Sequence, residues 1–136
     1  MCEWRRDFSQ RQPRRRDGDI GKTLEKLWAK LPARSGAAVI SGATGLEPAT
    51  SEERAFLSSK PDLAVRATGT HVGDGLEPNF VLNIALAAIS LRHGSLFPSA
   101  DRSGMERDMD GELTQVVVTS VGHWRGEGLA LVESAS

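Results

Sequence analysis

The chain is short of three things, and each shortage removes a class of protein. Cys2 is its one cysteine in 136 residues. No intramolecular disulfide can staple such a chain, and a lone thiol beside the initiator methionine is poorly placed to be a built nucleophile; both points fit a reducing, cytoplasmic setting. It lacks an excess of charge of either sign: 17 basic and 18 acidic residues leave a net charge of −1, which names neither a nucleic-acid nor an acidic partner. It also lacks a long apolar run. The longest, Phe80 to Leu91, is interrupted by Asn83 and Ser90 and is too short for a bilayer core of about 30 Å. The N-terminus has no apolar centre of a secretory signal, so no membrane association is expected.

What remains is a chain with 39% hydrophobic and 26% charged residues, ordinary for one globular domain. A domain of that size buries roughly two thirds of the surface its unfolded form exposes. Residues 1–18, MCEWRRDFSQRQPRRRDG, carry six arginines and little periodic apolar character. This segment reads as a disordered basic arm, diluted by Glu3, Asp7 and Asp17, in front of a folded unit spanning 19–136.

Inside that unit, Ile20, Leu24, Leu27, Trp28 and Leu31 recur at helical spacing, and Pro32 and Gly36 close the element. Ala37 to Ile40 is a short buried strand. A second helix is expected over 51–59, with Thr50 as its cap and Glu53 three residues on as the return half of a capping box. Leu63 to Arg66 is the next strand. Pro78 opens an alanine-rich helix, Asn79 to Arg92, apolar on every side and therefore built to be buried, with Arg92 and His93 suiting the dipole at its C-terminal end. Ser95 to Pro98 reads as a brief strand and Ser99 to Glu112 as a polar loop. Two strands, Leu113 to Thr119 and Leu129 to Glu133, finish the chain as a hairpin. The whole is a layered α/β sheet, with Val116, Val117 and Val118 in a central strand covered on both faces.

The segment AVISGATGLEP imitates the strand-to-glycine turn of a dinucleotide site, with Arg66 placed to suit a 2′-phosphate. Pro48 stands where the third glycine belongs, Glu47 brings negative charge to the phosphate position, and too few strands follow to complete such a fold. Asp74 and Glu77 near His71 lack the repeated spacing of metal ligands, and no cofactor or metal is expected.

Three stretches, ISGATGLEPATSEERAFL, RATGTHVGDGLEPNFVLNIALAAISLRHGSLFPS and VVVTSVGHWRGEGLALVE, resemble in order and spacing the C-terminal half of a β-ketoacyl-acyl-carrier-protein synthase of the thiolase-like superfamily. The resemblance covers about Ile20 to Glu133. It implies half of a thiolase-like fold, a mixed β-sheet with a buried central helix and a C-terminal β-hairpin. The implied activity is condensation of acyl and malonyl thioesters in fatty-acid biosynthesis, with acyl carrier protein as partner and a dimeric parent.

Residue by residue, the resemblance places His71 on the family's second active-site histidine, Arg66 on its lysine and Ser41 on its first histidine. His123 and Trp124 fall in the late turn that walls the acyl pocket. The departures are substantial. The nucleophilic cysteine belongs to the family's N-terminal half, a serine hydroxyl cannot do an imidazole's proton chemistry, and an arginine keeps a lysine's charge but not its geometry. Condensation by this chain alone is therefore not expected. A non-catalytic chain-length-factor-like partner subunit is the alternative, and an NAD(P)-binding domain the more remote one. The central helix is expected to leave one apolar side uncovered where the other half would lie.

Overall fold

A computed structural model describes residues 16, 18–33, 36–69, 78–100, 104–121 and 126–135. His71, His123 and Trp124 lie outside the described residues, as does residues 1–15 of the basic arm. Along the chain the elements are α1 (Asp19–Trp28), β1 (Ala38–Ser41), α2 (Ala49–Ser58), β2 (Ala64–Ala67), α3 (Pro78–His93), β3 (Gln115–Val121) and β4 (Glu127–Glu133).

The strands form one mixed sheet in the order β2-β1-β3-β4. β2, β1 and β3 are parallel, and β4 returns antiparallel to β3 as the expected hairpin. From β1 the chain crosses through α2 to β2 on one side, then through α3 past β1 to β3 on the other. Parallel crossovers are right-handed, so steps in opposite directions put their helices on opposite faces. This arrangement is found: α1 and α2 pack together on one face and α3 covers the other, against β3, β4 and β1. Two apolar cores result. Val39, Val65 and Val117 meet Leu24, Phe56 and Leu57 on one side, while Ile40, Val116 and Val118 meet Ala87 and Leu91 on the other. The strand alternation explains why Val116, Val117 and Val118 are all fully buried, each turning to a core.

α1 ends three residues before Leu31, and a tight turn then brings the Lys30 and Leu31 amides back to Leu27 and Trp28. α2 begins at Ala49, and no capping box forms. Starting earlier than expected turns Thr50 and Glu53 together onto the buried face, since residues three apart share one side of a helix. Thr50 Oγ1 accepts the Gly45 N–H at 3.0 Å, and Glu53 points into the interior. Glu47 takes over at the helix start, its Oε2 accepting the Ser51 N–H at 3.2 Å.

Ser95 to Pro98 is not a strand. Leu96 and Phe97 instead pack beneath α3 as irregular chain. The polar loop that follows lies along the outer edge of β2, where Val65 and Arg107 exchange both backbone hydrogen bonds at 3.0 Å. Its Met105 is buried in the α1–α2 core. An edge strand with free N–H and C=O groups is thereby covered.

α3 is inverted relative to a simple amphipathic helix. The centre of its sheet-facing side carries Asn83, Ala87 and Ser90, all buried, and their small size lets the backbone approach the sheet closely. Val81 and Ile89 point outward and are 67% and 53% exposed, with Leu82 beside them and Ala85 and Ala88 between. The expected uncovered apolar side is present.

Candidate functional site

In open α/β sheets ligands gather at the carboxyl ends of the strands, where successive crossovers leave in opposite directions. Here that point lies between β1 and β3. Three chain segments converge on it: Ser41-Gly42-Ala43 after β1, Thr68-Gly69 after β2, and Thr119 near the end of β3. Their backbones are pressed together. A Cβ on Gly42 would stand 2.5 Å from the Thr119 carbonyl oxygen, and one on Gly69 would stand 2.0 Å from that of Ala43. Glycine is required at both places by neighbouring main chain, not by a ligand.

A polar network fills the space beneath. Ser41 Oγ donates to Glu53 Oε1 at 2.9 Å, and Thr119 Oγ1 donates to the same oxygen. Each hydroxyl also accepts an amide, Ser41 Oγ from Ala43 N–H at 3.1 Å and Thr119 Oγ1 from Gly42 N–H at 2.8 Å. From the other face of the sheet, Asn83 Nδ2 donates to the Ser41 carbonyl at 3.4 Å while its Oδ1 accepts the Thr68 hydroxyl at 2.7 Å. Glu53, Ser41, Thr119 and Asn83 are all buried. Burial pushes the Glu53 carboxyl above the ordinary carboxylate range, and its bonds from Thr119, Ser41 and the Gly42 backbone only partly oppose that rise. Among the described residues Oε2 of Glu53 has no hydrogen-bond partner.

The chemistry open to this cluster is narrow. Ser41 is fully buried, and its hydroxyl is spent as both donor and acceptor. With both side chains sealed from solvent, the Ser41–Glu53 pair has no open path to a substrate. The glycine turn does not offer a phosphate cradle either, because the amides of Gly42, Ala43, Gly45 and Ser51 already donate to Thr119, Ser41, Thr50 and Glu47.

Arg66 is placed differently from Ser41. It is buried in β2, and its Nε donates to the Phe97 carbonyl at 2.7 Å. Its Nη1 donates to the carbonyls of Val65 and Arg107 at 3.0 and 2.9 Å, and its Nη2 pairs with Asp108 at 3.2 Å. This guanidinium binds the covering loop to the sheet edge. His71 follows Gly69 by two positions and His123 follows Val121 by two, both outside the described residues together with Trp124. Glu53, Thr119 and Asn83 are the residues that sequence reasoning passed over. Asn83 did carry a signal, as a polar break in an apolar helix, whereas Glu53 was masked by its fit to a capping box. Among the described residues no group of histidine, cysteine and carboxylate side chains can hold a metal ion, and no helix is long and apolar enough to cross a membrane.

The chain matches no protein-family model, no curated protein and no solved structure.

Proposed function

We propose that this chain is the C-terminal part of a thiolase-like β-ketoacyl-acyl-carrier-protein synthase, acting on acyl and malonyl thioesters only when joined by the segment that carries the nucleophilic cysteine. The observation that supports this reading most is the outer side of α3. Val81, Leu82 and Ile89 form an apolar face on a helix whose sheet-facing side is already satisfied, as a helix sandwiched between two such halves requires. The mixed sheet with its terminal hairpin is compatible with the same architecture. In this reading acyl carrier protein delivers the substrate, His71 and the late turn at His123 and Trp124 serve the acyl site, and the partner is an N-terminal half or a ketosynthase subunit in a homo- or heterodimer.

One observation favours a second reading, a non-catalytic partner subunit that shapes the acyl pocket. Ser41, at the position of the family's first histidine, is sealed in the Glu53 network and has no free donor for a thioester oxygen. A condensation assay with acyl- and malonyl-carrier protein decides between them. The chain is assayed alone, fused to its upstream half, and mixed with an active ketosynthase. The first reading expects activity only in the fusion. The second expects none there and a changed product length in the mixture. Condensation by the isolated chain would overturn both. Low-micromolar binding of a dinucleotide in isothermal titration would revive the remaining alternative.

A further inference from the structure

α2, β1 and β3 meet over one carboxyl group. Ser41 and Thr119 each accept an amide, so each hydroxyl hydrogen is left for Glu53, and both go to Oε1. A proton on the carboxyl therefore belongs on Oε2, which is buried and has no partner among the described residues. A neutral O–H in that position costs little compared with a bare anionic oxygen.

Among the described residues no charged side chain compensates an anion there. β1 and β3 face the group with Ser41 and Thr119, neither of them titratable in the relevant range. On α2 itself, Arg54 is exposed and Glu52 turns to the start of α1, accepting the amides of Gly18 and Gly21 at 3.0 and 3.1 Å. The charged residues of α1, Lys22, Glu25 and Lys26, line the outer groove over Ala55 and Phe56 instead.

We propose that the Glu53 carboxyl is a proton-dependent latch on the carboxyl ends of β1 and β3: with its proton it holds α2 against them, and loss of that proton to solvent releases the Ser41-Gly42-Ala43 turn. The inference is independent of the acyl-transfer reading. It places a pH-sensitive device at the strand ends where a ligand of this fold class would sit.

The sign follows from linkage. The closed state holds its proton more tightly than the open state, whose carboxyl has the ordinary value of 4.5. Stabilisation by the latch is complete below that pH. It declines as pH rises toward the raised value of the closed state, and is level beyond it.

The test is amide hydrogen exchange on the full chain between about pH 5 and 9, comparing wild type with Glu53→Gln, which keeps the shape and removes the titration. In wild type the protection factors of the Gly42 and Ala43 amides should fall by up to about tenfold per pH unit before levelling. In the variant they should stay flat. Parallel pH courses in the two proteins, or no fall in wild type, would overturn the latch. A direct readout covers the case of a variant that does not fold: the carboxyl carbon of Glu53, followed by NMR in wild type, should titrate above the ordinary value of 4.5, and titration at or below that value would equally overturn it.

Discussion

Ser41 Oγ lies 2.9 Å from Glu53 Oε1, and this contact ties the end of β1 to the middle of α2. Both side chains are fully buried, and the bond is one of two that converge on a single carboxyl oxygen. Replacing Ser41 with alanine removes a donor to Glu53 and leaves the Ala43 N–H without its acceptor. A loss of about 1–3 kcal/mol is expected, read as a lower denaturant midpoint at unchanged slope. A variant as stable as wild type would mean that the network contributes nothing to folding.

The glycines separate by cause. Alanine at Gly42 or Gly69 drives a methyl into a backbone oxygen that cannot move alone, so each variant should be the more severely destabilised class, by more than about 3 kcal/mol. Alanine at Gly45 meets open space but inherits φ of +89°, and should cost about 1–2 kcal/mol. Thermal melts of the three variants check the ranking. Gly45→Ala as the worst of them would contradict it.

On α3 the two sides should respond oppositely. Val81→Glu and Ile89→Glu change exposed positions and should leave stability within about 0.5 kcal/mol of wild type, while lowering self-association and binding of a hydrophobic dye. Ala87→Leu overfills the contact with β3 and should cost about 1–3 kcal/mol. Sedimentation and dye fluorescence report the first effect, chemical denaturation the second.

Arg66 and Asp108 form a bridge of unequal partners. Arg66 is buried against three carbonyl oxygens, whereas the Asp108 side chain is 88% exposed. Arg66→Leu should destabilise by about 2–4 kcal/mol and free the covering loop from the β2 edge, because charged hydrogen bonds to those carbonyls are lost together. Arg66→Lys should rescue little, since an ammonium cannot span the fork. Asp108→Asn should be indistinguishable from wild type. Limited proteolysis within residues 99–112 follows the loop, and equal protection in wild type and Arg66→Leu would show that another contact holds it.

Much of the architecture was written in local pattern. The 3.6-residue period of Ile20, Leu24 and Trp28 specified α1, the valine run specified a strand covered on both sides, and the turn signals between them set the order of elements. The alanine-rich stretch at 79–92, without charge until Arg92, announced a long helix. These features depend on neighbours a few residues apart, and so a linear reading reaches them.

The polar interior was settled only by tertiary structure. Thr50 and Glu53 satisfy a capping box as spacing, but a helix start shifted to Ala49 turns both inward. Glu53 then finds Thr119, 66 positions along the chain, and Asn83 reaches Ser41 across the sheet. Arg66 became a loop clamp because its strand lies at the sheet edge, beside Phe97 and Arg107. Hydrogen-bond satisfaction in a buried place is a property of where distant segments meet, and no local periodicity encodes it.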